Sequence, residues 1–397
     1  MDELIRKAIS DAVDAEAGAL RDLSLKIHAN PELGLEETMA AGWLTEFLSE
    51  RGFRVEAPVA GLETAFRATA GEGTPVCAFM SEYDALPEIG HGCGHNLIAI
   101  AGLGAGIGLK AAIGELGGTV QVLGTPGEEG MGGKVIMVAE GVFKDVDFAM
   151  MVHPSTNTRE DPGCTAVQRV RIAFHGRTAH AAASPEKGAN ALDGIIQTYN
   201  GISAIRQHIL EDSRIHGIIT HGGVKPNIVP DFAEAIFYVR SPNQDYLEEL
   251  LGKVERIAEG AARMTGTTYD FELTGHGYRA RIPCPILNRL YREEAEQLGM
   301  EFKEIVRSGR GSSDCGDVSW VVPAIHPYFA IGPEEMAGHS KEFADHAAED
   351  SSIASALVSA KAMALAAARV IEDAELLSEI KTGFDARARA GGEADGA

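Results

Sequence analysis

The apolar positions of this chain fall into two rhythms. Leu20, Leu23 and Ile27, and then Trp43, Leu44, Phe47 and Leu48, recur three or four residues apart, as one face of a helix does. Pro31-Glu32-Leu33-Gly34 interrupts that spacing, so two helices are expected before Phe53. A strand pair is expected ahead of Gly71-Glu72-Gly73. The rhythm then changes to short apolar runs at residues 76–80, 119–124 and 148–152, the length of buried strands. Between them, residues 97–110 are rich in Ala and Gly with Leu and Ile, which suits a closely packed buried helix, and residues 134–142 suit a shorter one. Strands alternating with helices predict a mainly parallel sheet of the α/β class.

A second pattern follows. Residues 167–174 alternate like a half-buried strand, and residues 190–209 place Leu192, Ile195, Ile196, Tyr199 and Ile202 on one helical face. Strands are expected at 215–220 and 232–240, a helix at 246–264 and a strand at 269–273. That order, β-α-β-β-α-β, is the split βαβ of ferredoxin-like α+β domains. Residues 167–280 therefore read as a compact domain inserted into a larger one made of residues 1–166 and 281–397. Pro283-Cys284-Pro285 marks the return. A helix at 286–298, a glycine-rich turn from Gly309 to Ser313, a strand near 328–331 and an Ala-rich helix at 353–371 complete the larger domain. The tail, residues 391–397, has too little apolar content to pack.

Composition narrows the function. A formal net charge of −23 argues against a nucleic-acid partner, which needs a basic surface. No apolar run is read as a membrane span, and the first residues lack the basic-then-apolar pattern of a secretory signal. Five scattered cysteines make no disulfide framework, so a reducing cytoplasm is expected.

In parallel sheets ligands bind beyond the carboxyl ends of the strands. Asp84, the Glu128-Glu129 pair and His153 each follow an expected strand end, and Cys93 and His95 sit in a glycine-rich turn nearby. Taken singly, each has an ordinary reading: two adjacent glutamates on a loop are usually solvated, and Cys93 is a core thiol as readily as a ligand. Taken together, thiol, imidazole and carboxylate are the donors of a divalent metal. One glutamate of the pair would hold the ion while the other takes a proton from an activated water. His180 and His339 lie in polar stretches where histidine is common; the remaining histidines, His326 among them, read as structural. Gly102-Leu103-Gly104-Ala105-Gly106-Ile107 lacks the dinucleotide spacing, Gly133-Lys134-Val135 is no phosphate loop, and no G-x-S-x-G elbow is present.

Longer motifs carry a family resemblance: His28-Ala29-Asn30-Pro31-Glu32-Leu33-Gly34, Tyr83-Asp84-Ala85-Leu86-Pro87, His91-Gly92-Cys93-Gly94-His95-Asn96, Gly124-Thr125-Pro126-Gly127-Glu128-Glu129, His175-Gly176-Arg177-Thr178-Ala179-His180, Lys225-Pro226-Asn227, Ser312-Ser313-Asp314-Cys315-Gly316-Asp317 and His339-Ser340-Lys341-Glu342-Phe343. Over nearly the whole chain these resemble the M20 metallopeptidases and amidohydrolases. The closer likeness is to the branch holding p-aminobenzoyl-glutamate hydrolase, indole-acetyl-amino-acid hydrolases and β-alanyl dipeptidases. The resemblance implies a zinc-peptidase-like catalytic domain with an inserted domain used for dimerisation. It implies Cys93, His95, Glu129, His153 and His339 as ligands of one or two ions, Zn2+ or Mn2+, with Glu128 as general base and Asp84 orienting a ligand. His180 would polarise the substrate carbonyl, and Asn227 and Arg240 would contact substrate. Asn96 and Glu82 depart from the pattern of other branches, and Glu82 stands where those carry a histidine, which leaves one ion or two open.

The expected function is metal-dependent hydrolysis of the amide bond of an N-acyl or N-aroyl amino acid or an unusual dipeptide, a small-molecule substrate, by a homodimer or higher homo-oligomer. Two alternatives stand beside it: a hydrolytic deaminase acting on an amino-substituted aromatic compound, and a non-catalytic binding protein that keeps the fold.

Overall fold

The structure is a computed structural model, and it describes residues 1–304 and 311–389. Part of the expected glycine-rich turn (Gly309 and Arg310) and the tail from Gly391 lie outside the described residues. The chain divides into two compact units, Met1–Gly163 with Arg281–Ala397, and Cys164–Ala280.

The larger unit begins with α1 (Glu3–His28) and α2 (Thr38–Glu50), then β1 (Arg54–Glu56), β2 (Phe66–Glu72) and β3 (Val76–Ser81). It continues with α3 (His95–Leu116), β4 (Gly118–Gly124), α4 (Gly133–Ala139), β5 (Phe148–Met150) and β6 (His153–Ser155). Among the described residues the main sheet has six strands, four of them in the order β1-β2-β4-β3 and then β5 and a strand from the last part of the chain. β4, β3 and β5 are parallel neighbours, whereas β1 and β2 pair antiparallel, so the sheet is mixed with a parallel centre. β3 is buried along its whole length. Cys77 and Phe79 face one apolar cluster; Val76, Ala78 and Met80 face another on the opposite side. A strand covered on both faces needs apolar residues at every position, which is why it reads as a continuous run.

The smaller unit follows the β-α-β-β-α-β order with β7 (Ala166–His175), α5 (Ala191–Ile205), β8 (Arg214–His221), β9 (Phe232–Ser241), α6 (Gln244–Thr265) and β10 (Thr268–Tyr278). Its sheet is antiparallel in the order β10-β7-β9-β8. Inward residues of the strands and the apolar faces of α5 and α6 make a core of their own, including Phe174, Phe237, Ile195 and Leu250.

The chain returns through α7 (Pro285–Gln297), α8 (Cys315–Val318), β11 (Ala324–Ile325), β12 (Tyr328–Ala330), α9 (Lys341–His346), α10 (Asp350–Glu372) and α11 (Ala374–Arg389). β11 adds parallel to β5, and β12 pairs parallel with β6. β6 begins at His153 itself, three residues past the end of β5.

One expectation needs correction. α3 and α10 are both long and apolar enough to cross a membrane by length and composition, although most of each is buried inside the unit. The apolarity of α3 serves packing on all sides. A Cβ at Gly108 would meet Val13 of α1 at 2.9 Å, and one at Gly106 would run into Val122 of β4. Glycine lets the helix approach α1 on one side and the sheet on the other.

Candidate metal centre

Three neighbouring parallel strands deliver the candidate chemistry. Glu82 and Asp84 follow β3, Glu128 and Glu129 follow β4, and His153 follows β5. Because the strands run in one direction, the three loops share one edge of the sheet. The loop after β3 turns into α3, whose first residue is His95. Gly94 caps that helix at φ 74°, a left-handed conformation glycine adopts without strain. A Cβ there would meet Pro154 Cγ at 2.6 Å, so the absent side chain lets the Cys93–His95 turn sit against the segment that carries His153.

The structure brings six candidate residues into three overlapping donor groups: Cys93, His95 and His153; Cys93, Glu129 and His339; and His95, Glu128 and Glu129. Within each group the donor atoms lie within 4.8 Å of one another. Cys93 belongs to two groups, so its sulfur lies within 4.8 Å of donor atoms of His95, His153, Glu129 and His339.

Hydrogen bonds fix how the imidazoles are presented. His95 Nδ1 donates to Asp84 Oδ1 at 2.8 Å. The other Asp84 oxygen accepts from the Glu129 amide at 2.9 Å, so one buried carboxylate orients two candidate ligands. His153 Nδ1 donates to the Pro154 carbonyl at 2.6 Å, and its Nε2 lies 3.4 Å from Cys93 Sγ. Both rings thus present Nε2 to the cluster; against burial, the charges of Asp84 and Cys93 raise the His95 pKa well above its ordinary value, so a proton or a metal ion is held there. Among the described residues His95 Nε2 is buried without a hydrogen-bond partner, and Glu82 Oε2 lies 3.5 Å from it. A ring nitrogen and a carboxylate oxygen buried across that distance suit a shared cation, a proton or a metal ion in its place. Sulfur, nitrogen and oxygen donors together fit a borderline-soft divalent ion, and the residues present therefore fit the implied metal.

The electrostatics agree. Burial, followed by the neighbouring His95, lowers the His153 pKa to about 4, which keeps it neutral and able to ligate. Burial raises the Cys93 thiol above its ordinary value, a shift that a bound cation reverses because a coordinating thiol loses its proton. Burial, then the charges of Glu82, Asp314 and Glu129, raises the pKa of Glu128 well above the usual carboxylate range. A carboxylate so placed accepts a proton readily.

Sequence reasoning missed part of this surround. Lys134 is wholly buried at the start of α4, and its ammonium pairs with Asp314 Oδ1 at 2.7 Å and with Glu82. The Lys134 amide also donates to Asp314 Oδ2 at 2.9 Å. A lysine inside a run as apolar as Val135-Ile136-Met137-Val138 was the available signal. His326, read as structural, packs edge-on against His153 with ring centroids 5.3 Å apart. His91 is buried and stacks on His28 at 5.9 Å.

The remaining candidates lie in the smaller unit. His180 is exposed, in a loop bridged to Ile228, and the Asn227 carbonyl accepts from the Ala181 amide at 3.1 Å. The unit therefore brings His180 and Asn227 together. Arg240, half-buried on β9, donates from Nε to His216 Nε2 at 3.3 Å.

A parallel-centred sheet with imidazole, thiolate and paired carboxylates at its carboxyl edge defines a metallohydrolase of the zinc-peptidase type. The chain belongs to peptidase family M20/M25/M40, whose profile matches residues 78–369. It is 40% identical to the Xaa-Arg dipeptidase of Mus musculus over 96% of this chain and 92% of that protein. It is 39% identical to one of the subunits of p-aminobenzoyl-glutamate hydrolase from Escherichia coli over 67% of this chain and 60% of that protein. A dinuclear metal binding peptidase of the M20 family from Bacillus subtilis has the same fold, with a TM-score of 0.68 at 20% identity over 89% of this chain and 99% of that one.

Proposed function

We propose that this protein hydrolyses the amide bond of a dipeptide or an N-acylated amino acid, with one or two zinc or manganese ions at the Cys93 cluster. The observation that carries the reading is the sharing of Cys93 between two donor groups with Glu128 beside Glu129. Likeness to an Xaa-Arg dipeptidase over almost the full length puts dipeptides ending in arginine first among substrates, ahead of aroyl-glutamates.

An ion held by Cys93, His95, Glu129, His153 and His339 would polarise a carbonyl and make a water more acidic. Glu128 takes the proton of the attacking water and returns it to the departing amine. His180 Nδ1 accepts from the Ala182 and Ala183 amides at 3.3 and 3.1 Å, so the neutral ring carries its proton on Nε2 and can donate to a carbonyl oxygen. A donor of that kind is worth roughly 3–4 kcal/mol when charge develops on the oxygen. Arg240 is proposed to hold a substrate carboxylate. Self-association through the smaller unit is part of the proposal: β8 is an edge strand with Ile218 66% exposed.

Purified Glu128→Ala is expected to lose at least about a thousandfold in kcat while keeping its metal, the scale of losing a central proton-transfer or electrostatic group. Near-normal turnover at full metal content would sink the mechanism. A screen of Xaa-Arg dipeptides, β-alanyl dipeptides, aroyl-glutamates and amino-aromatics, with zinc and manganese supplied separately, tests the substrate class. Release of ammonia in place of an amino acid would favour the deaminase.

A further inference from the structure

His326 follows β11, is 1% exposed, and has no part in the machinery above. Its Nδ1 lies 2.6 Å from Arg281 Nη1. A guanidinium only donates, so Nδ1 accepts and the neutral ring carries its proton on Nε2. Arg281 is itself fixed: its Nη2 pairs with Asp161 Oδ1 at 2.7 Å, and Asp161 Oδ2 accepts the His326 amide at 3.0 Å. Asp161, Arg281 and His326 thus close a buried ring of contacts at the point where the chain leaves the larger unit, after Gly163, and re-enters it at Arg281.

Among the described residues the Nε2–H of this ring is buried with no hydrogen-bond partner. Leaving a donor unmet costs about 1–3 kcal/mol, and such groups in native proteins generally have a partner that binds there. The surroundings say what kind. The ring stands edge-on to the candidate ligand His153 at 5.3 Å and beside Tyr328 at 5.4 Å.

We propose that His326, locked by Arg281 and Asp161, is a substrate-contacting residue whose Nε2–H donates to an oxygen of the ligand bound at the Cys93 cluster. This rests on the reading of that cluster as a hydrolytic metal centre. The role differs from that of His180, which lies in the smaller unit: His326 belongs to the same unit as the cluster, with its tautomer set by a permanent charge.

The test compares wild type, His326→Phe and His326→Gln, each loaded with zinc. Phenylalanine keeps a ring and removes the donor; glutamine can accept from Arg281 and still donate. The readouts are bound metal per chain, the Kd for acetohydroxamate as an oxygen ligand of the centre, and kcat/KM on an Xaa-Arg dipeptide. His326→Phe is expected to hold as much metal as wild type while both hydroxamate affinity and kcat/KM fall tenfold or more, and His326→Gln to recover most of each loss. If the phenylalanine chain does not fold, His326→Asn supplies the comparison, since it keeps an acceptor for Arg281 but is too short to present the donor. Hydroxamate binding and turnover within twofold of wild type in the donor-less variant would overturn the assignment alone. Loss of the ion in that variant would also overturn it, because His326 would then support the metal and not the ligand. A wild type that takes up no metal would overturn the metal-centre reading and this inference together.

Discussion

At the scale of single residues, the most informative group outside the cluster is Glu37. Two of the acidic pairs in the sequence, Glu36-Glu37 and Glu128-Glu129, look alike on paper. The fold buries Glu37 completely, with Thr64 Oγ1 donating to one oxygen at 2.9 Å and the Gly127 amide to the other at 2.8 Å. It therefore pins the turn that presents Glu128. Burial, reinforced by the charge of Asp84 against these hydrogen bonds, raises its pKa to about 7. The folded chain then binds a proton that the unfolded chain has released, so stability is highest below the ordinary carboxylate pKa and falls as pH rises through about 7. The shift corresponds to about 3 kcal/mol at most. Glu37→Gln, neutral at every pH, should melt above wild type at pH 8 and level with it near pH 4. Equal melting curves at both pH values would show that Glu37 ionises freely in the folded protein. The ligand candidates were legible because each follows a strand end or a glycine turn. Glu37 and His326 were not, because burial and partnership are made by contacts between distant segments.

At the scale of elements, the long helices and the central strands were legible because their patterns are long or strongly apolar. α3, α6 and α10 carry many periods, and β3 is apolar at nearly every position. β6, β11 and β12 are two or three residues each and offer no period to read. The start of α4 shows a different limit. Gly133-Lys134-Val135 drew notice in the sequence only as no phosphate loop, yet Lys134 joins α4 to the loop after β3 through Glu82 and to the segment before α8 through Asp314. The carboxylates of Asp314 and Glu82 outweigh the burial that opposes charge on Lys134 and raise its pKa well above normal, so it is an ammonium at any working pH. Lys134→Met would leave two carboxylates buried without their cation, which costs about 3–5 kcal/mol. Burial already raises the Asp314 pKa to about 6 against the pull of Lys134, so protonating Asp314 relieves part of the cost, and the loss measured by urea unfolding should be larger at pH 8 than at pH 5. A loss below 1 kcal/mol at pH 8 would mean that water reaches the carboxylates and the pairing is dispensable.

At the scale of the whole molecule, the insertion was visible as a change of rhythm, from continuous apolar runs to alternating strands near residue 166 and back at the prolines around Cys284. The reason lies in the cores. The larger unit packs its sheet between two apolar clusters, whereas the smaller one buries a single face of an antiparallel sheet under α5 and α6. Each unit has its own core and a size at which domains fold alone. All five candidate ligands, Glu128 and Asp84 lie in the larger unit. An ion that binds only the folded larger unit stabilises that unit by mass action, about 2.7 kcal/mol at a hundred times its Kd. Calorimetry of the full chain should accordingly resolve two transitions. Adding zinc to the chelator-treated protein should raise one of them and leave the other in place. Residues 164–280 expressed alone should melt at the temperature of the unmoved transition, with or without zinc. A single transition that moves as a whole with zinc would show that the two cores unfold as one, and that the insertion depends on the metal-binding unit for its stability.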